Sequence, residues 1–284
     1  MSSQYNHELR LERALQNLQT LETEVQRWLG RYPYGFVQEF DVQRSENAIR
    51  VIAFGRPPAS VSLLISECLH NLRSALDNFV YDLALAYNRG NPLLRDAEDR
   101  AMLPIFGSQK EFKRRGAYRI RDIDPGAKAV IEGLQPYERG NPDYLWELNE
   151  LSRIDKHRLL HVTLLGMHES VLGGTQRNTI VDNITFSGGA IEPFGPGTVD
   201  GTELVRYRAT PVDPSDKMHM YFQFVFDIAF DQDSPVSGGE PVLRRLWTLR
   251  NYIIDNVVLP LTPYLTRIRL VRVSQPYSLL TSRG

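Results

Sequence analysis

The chain has 284 residues, of which 42% are hydrophobic and 24% charged, and a formal net charge of −1 at neutral pH. That balance excludes wholesale disorder, and it supplies no global field to draw the molecule onto nucleic acid or an anionic membrane. A nucleic-acid site therefore has to be a local patch. The single cysteine, Cys68, excludes an intrachain disulfide and a cysteine-based zinc site, and it suits a reducing compartment.

The first residues are polar and then amphipathic, without the apolar core of a signal peptide. No apolar run approaches the roughly 20 residues that span a bilayer. The expectation is a cytoplasmic protein with no membrane partner. Residues 6–29 predict a helix, because Leu11, Leu15, Leu18, Leu21, Val25 and Trp28 recur at three- and four-residue spacing. Two strand-like runs, 36–43 and 48–54, follow as a plausible hairpin joined through Ser45-Glu46-Asn47. The clearest helix covers 61–87, where Ile65, Cys68, Leu69, Leu72, Leu76, Phe79 and Leu83 form an apolar stripe. Leu103-Pro104-Ile105-Phe106 is a small apolar anchor before a basic stretch, 110–121. Pro125 opens a short helix to 134, and Pro142 opens another to about Leu159.

The period then changes. Strands are expected at 160–166, 179–186, 203–209 and 219–230, the last with alternating phenylalanines. A final helix runs from 240 to about 259, ended by Pro260 and Pro263. The fold class is thus α+β, mainly a helical bundle with an antiparallel β insertion before the last long helix. As one domain over 1–284, it comprises a bundle from 1–160 and 237–265, a β-rich insertion at 160–236 and a basic tail at 266–284.

Two polar clusters carry the candidate chemistry. On the 61–87 helix, Glu67, His70, Ser74, Asp77 and Tyr81 fall along one line, with Asn71, Arg73 and Asn78 beside it. This is either the wet side of an amphipathic helix or a site. The run lacks lysine and uses asparagine, serine and aspartate, poor helix formers that gain most from fixed partners. On the 142–159 helix, Asp155 projects into the apolar face of Tyr144, Leu145, Leu148, Leu151 and Leu159. A buried carboxylate needs a partner, Arg73 first, so Asp155 marks either an ion pair locking two helices or a site. Lys156, His157 and Arg158 follow, with His161 close by; the helix dipole also favours cations there.

No metal site or other cofactor is expected. Glu67-x-x-His70 lacks the second motif of a di-iron bundle, and His157-x-x-x-His161 lacks a third ligand. The basic stretch places Lys110, Lys113, Arg114, Arg115, Arg119 and Arg121 together, interleaved with Phe112 and Tyr118. Such a pattern suits either a single-stranded nucleic-acid groove or a solvated loop.

The order His70-Asn71-Leu72-Arg73-Ser74-Ala75-Leu76-Asp77, Leu103-Pro104-Ile105-Phe106, Leu134-Gln135-Pro136-Tyr137 and Asp155-Lys156-His157-Arg158 resembles a group of bacterial and phage-associated proteins without an assigned activity. More distantly, a helix bearing Arg and Asp opposite one ending in Arg and His is similar to the HEPN class of helical bundles. Many of those are metal-independent ribonucleases of defence and toxin systems, and others bind nucleotides or partners. The arginine-histidine spacing departs from that class: three residues separate Arg153 from His157, and two separate Arg158 from His161. The resemblance implies an RNA-binding or RNA-cleaving effector. His70 or His157 would act as general acid–base, Arg73 and Arg158 would stabilise phosphorane charge, and Asp77 and Asp155 would complete the site. The alternative is a non-enzymatic interaction module. A homo-oligomer, most simply a dimer, is expected.

Overall fold

Helical periodicity decides the first long elements. The structure, a computed structural model, describes residues 5–139, 143–157, 160, 162–167, 173–176, 179–180, 184–186, 203–209, 219–221, 225–231 and 234–265. Helix α1 spans Asn6–Leu29 and α2 spans Ala59–Tyr87. Leu11, Leu18, Leu21 and Val25 of α1 are buried, as are Ile65, Cys68, Leu69, Leu72, Leu76 and Phe79 of α2. Burial pushes the Cys68 thiol pKa up to about 12, so it packs as a small apolar side chain. Asn71, one of the poor helix formers of α2, does have fixed partners. Asn71 accepts from Arg10 Nη1 at 3.1 Å and donates to the Glu67 carbonyl at 2.8 Å. Asp82 lies 2.7 Å from His7 Nδ1, and both are buried.

Short helices follow: α3 (Arg95–Arg100), α4 (Gln109–Glu111), α5 (Ala117–Arg119), α6 (Pro125–Gly133), α7 (Pro136–Arg139) and α8 (Tyr144–Asp155). Between α4 and α5 the chain forms a π-helical turn, Phe112–Gly116. The last helix, α9 (Val242–Tyr252), runs into a second π-helical turn, Ile253–Val258, and helix continues to Leu265. Pro260 and Pro263 therefore do not end it, contrary to the sequence expectation. Side chains meet two carbonyls there: Asn256 Nδ2 donates to Tyr252 O at 3.3 Å, and Thr262 Oγ1 donates to Val258 O at 2.7 Å.

The strands are β1 (Tyr34–Asp41), β2 (Glu46–Ala53), β3 (Val162–Met167), β4 (Gly173–Gln176), β5 (Thr179–Ile180), β6 (Ile184–Phe186), β7 (Glu203–Ala209), β8 (His219–Tyr221) and β9 (Val225–Phe230). All described pairings are antiparallel, in the orders β1-β2-β7-β6, β3-β9 and β5-β4-β8. The fold is α+β. The hairpin expected near residue 45 is present, and its β2 pairs with β7, Ile49 opposite Val205. Of the β material at 160–230, β6 and β7 thus share a sheet with the early hairpin.

The chain divides into two compact units. The first falls within Met1–Asn17, Glu67–Lys156 and Leu246–Gly284, and the second within Leu18–Ser66 and His157–Arg245. In the second, Ala48, Ile49, Val51, Tyr207, Phe226, Ile228 and Phe230 are buried, and Tyr34 packs on Phe226 with ring centroids 4.0 Å apart. Arg206 there is held by Asp41 at 3.1 Å and Glu203 at 2.5 Å. Among the described residues no helix is long and apolar enough to cross a membrane.

Candidate functional site

Arg73 and Asp77 sit one turn apart on α2 and grip the same stretch of backbone. Arg73 Nη1 lies 2.7 Å from Asp77 Oδ1. Arg73 Nη2 donates to the Leu103 carbonyl at 2.9 Å, and the Leu103 amide donates to Asp77 Oδ1 at 3.0 Å. From a second side, the fully buried Gln135 donates through Nε2 to Pro104 O at 2.8 Å and to Ile131 O at 3.0 Å. Its Oε1 accepts the Phe106 amide at 3.1 Å. Residues 103–106 belong to no helix or strand. Their buried backbone groups need partners from elsewhere, and these three side chains supply them. Three of the four sequence motifs, those bearing Arg73 and Asp77, Leu103–Phe106 and Gln135, are therefore one hydrogen-bonded assembly.

That assembly fixes Phe106, and Phe106 in turn seats the basic stretch. The Arg115 and Arg119 guanidiniums lie 5.9 and 5.4 Å from the Phe106 ring centroid, within cation–π reach. The helical run carrying them begins at Ser108, whose hydroxyl accepts the Glu111 amide at 3.4 Å. The π turn closes with the Ala117 amide donating to Phe112 O. Gly116 is what lets this turn approach the rings. A Cβ there would stand 2.8 Å from a Phe112 ring carbon and 2.9 Å from a Phe106 ring carbon. Phe112 is buried and meets Tyr137 edge-on, with centroids 6.2 Å apart.

The electrostatics are unbalanced. Burial lowers the Arg119 pKa from its ordinary value, and the positive charges of Arg73 and Arg115 lower it further, with Asp77 opposing. Burial raises the Asp77 pKa, opposed by Arg73, the Leu103 amide and Arg119. Arg73 is 14% exposed and Asp77 33%. Arg73 and Arg119 thus share the Asp77 carboxylate at the edge of solvent, with Arg115 adding its charge beside Arg119. Lys110, Lys113 and Arg114 extend the positive surface along the same run, Arg114 lying 3.7 Å from Glu111.

The predicted residues divide accordingly. Arg73, Asp77, Arg115 and Arg119 come together. Arg121 does not join them: it pairs with Asp96 at 3.2 Å and sits over the Tyr118 ring at 4.8 Å. Arg100 covers the same ring at 5.2 Å and is paired with Asp96 and Asp122. His70 is exposed on α2, its Nε2 3.5 Å from Ser74 Oγ. Asp155 ends α8 half-buried, less deeply than its place on the apolar face predicts, and His157 is exposed in the turn that follows. Arg158, His161 and the basic tail lie outside the described residues. Among the described residues, no group of three His, Cys, Asp or Glu side chains is placed to hold a metal ion.

Sequence reasoning missed Gln135, Gly116 and the role of Phe106. A glutamine between Leu134 and Pro136 in an apolar motif was the available signal for the first. The close approach at Gly116 depends on tertiary contacts that no local pattern encodes. No protein-family model, curated protein or solved structure matches the chain.

Proposed function

We propose that the protein binds single-stranded RNA through its phosphate backbone, along the ridge that runs from Lys110 to Arg119. One observation carries this reading: Arg115 and Arg119 converge on a clamped phenylalanine, and Arg119 also feels Arg73, with the Asp77 carboxylate in opposition. Phosphate oxygens complement guanidinium forks and relieve the repulsion between them. Because the chain's net charge is −1, attraction has to come from this local surplus. The reading treats the helical part as a HEPN-like bundle and the protein as a cytoplasmic effector, in keeping with the defence and toxin systems that the class serves.

Fluorescence anisotropy with labelled single-stranded RNA at low salt tests it. Wild type binds, and the R115A/R119A double variant loses affinity on the order of 10–100-fold, since each charge-assisted hydrogen bond contributes about 1.5–3 kcal/mol and arginine contacts overlap. Undiminished binding by the double variant defeats the reading.

Cleavage is a second reading, favoured by exposed His70 one turn from Ser74 on the helix that bears Arg73. An imidazole there would take the 2′-hydroxyl proton while the guanidiniums stabilise the developing charge. Cleavage that survives chelator and disappears in His70→Ala supports it. A wild type that neither retards nor cleaves RNA at low salt, and elutes as a dimer, favours the interaction module instead.

A further inference from the structure

The ridge carries aromatic residues whose positions differ from what the sequence pattern implies. Phe112 is buried, and Tyr118 lies between Arg100 and Arg121 with its hydroxyl 3.2 Å from Asp96 Oδ1. Phe112 offers no ring to a base, and the Tyr118 ring, 47% exposed, already has two guanidiniums against it. Trp146 is 41% exposed, in the first turn of α8. The Asp143 carboxylate caps that turn, accepting the Trp146 amide at 2.7 Å, which fixes the backbone beneath the indole.

The place of the indole is informative. A Cβ built on Gly107 would lie 3.6 Å from Trp146 Cζ3 and 3.8 Å from Cη2, so the six-membered ring rests against the Gly107 backbone. Gly107 directly follows Phe106, the ring that seats Arg115 and Arg119. Consecutive Cα atoms are about 3.8 Å apart. The indole and the guanidinium pair therefore pack against adjacent residues of one segment, and Arg73, Asp77 and Gln135 clamp that segment.

An exposed tryptophan by itself is common on protein surfaces. A tryptophan packed on the same clamped segment as a surplus of arginines has the composition of a single-strand site, where cations follow the phosphates and an aromatic face takes a base. We propose that Trp146 is the base-stacking residue of this site, taking an unpaired base of single-stranded RNA on its open face while the flanking phosphate lies against Arg115 and Arg119. The proposal rests on the RNA-binding reading above and adds what that reading lacks, a contact with the base. Every base has a π face, so the contact tolerates sequence.

The test compares two ligands with the whole chain: a short oligoadenylate, which has bases, and inorganic polyphosphate, which has backbone-like charge and none. Trp146→Ala is expected to weaken oligoadenylate binding by roughly ten-fold, the scale of one stacked base, and to leave polyphosphate binding unchanged. Trp146→Phe should retain most of the oligoadenylate affinity. R115A/R119A should weaken both ligands. In wild type, oligoadenylate should quench tryptophan emission and polyphosphate should not, and Trp146→Phe should lose that quench, a readout that does not need the alanine variant to fold. If Trp146→Ala binds oligoadenylate as wild type does while R115A/R119A loses both ligands, stacking is overturned and the RNA reading stands. If Trp146→Ala weakens both ligands equally, the indole acts through the fold and stacking is again overturned. If wild type binds neither ligand, or R115A/R119A loses neither, both ideas fall.

Discussion

Asp77 holds the Leu103 amide and offsets the charge of Arg73, and the two tasks pull its chemistry in one direction while burial pulls in the other. Burial prevails, raising its pKa above the ordinary 3.8. Between 3.8 and that raised value, the folded chain keeps a proton that the unfolded chain has released. The resulting stabilisation is complete below 3.8 and is lost as pH rises through the folded value. Asp77→Asn keeps an oxygen to accept the Leu103 amide and cannot ionise. Thermal melts across this range should therefore fall less steeply with pH in Asp77→Asn than in wild type. Asp227, also raised by burial, is common to both proteins and cancels from the difference. Parallel curves would show that the Asp77 carboxylate titrates as a solvated one. The sequence exposed this residue as one of several poor helix formers on α2. It did not show that the partner would be a backbone amide, because a contact across 26 positions to Leu103 leaves no periodic signature.

At the scale of elements, the amphipathic helices were the legible part. Apolar spacing located α1 and α2 closely, because each buries one face at the helical period. The π turns were not legible, since periodicity assumes regular helix. Gly116 tests the first of them. In an open helix interior, glycine to alanine stabilises by about 0.5–1 kcal/mol. At Gly133, the last residue of α6, a Cβ meets nothing within 4 Å, so Gly133→Ala should stabilise, by less than the interior value. At Gly116 the same methyl meets two phenylalanine rings below 3.0 Å. Rings in a clamped segment yield poorly, and overpacking of this kind costs about 1–3 kcal/mol. Gly116→Ala should therefore destabilise in urea melts and weaken RNA binding, because moving Phe106 moves the seat of Arg115 and Arg119. A Gly116→Ala variant as stable as wild type would mean that the rings have room to turn.

For the whole molecule, the sequence showed where cations are dense but not which of them are already neutralised. Arg115 and Arg121 belong to the same run and differ in nothing local. The fold separates them. Arg121 and Arg100 face Asp96 and Asp122, two charges against two. Arg119 faces Arg73 and Arg115, with Asp77 in opposition, and shares the Phe106 ring with Arg115. Salt dependence reads this difference directly. On single strands each neutralised phosphate contributes about −0.7 to the slope of log affinity against log salt, so full engagement of Lys110, Lys113, Arg114, Arg115 and Arg119 gives a slope of roughly −3.5. Arg115→Ala should make the slope shallower by about 0.7. Arg121→Ala should leave it unchanged, because Asp96 and Asp122 already hold that charge. Equal losses from the two variants would mean that RNA displaces the carboxylates and that the site extends past Arg119.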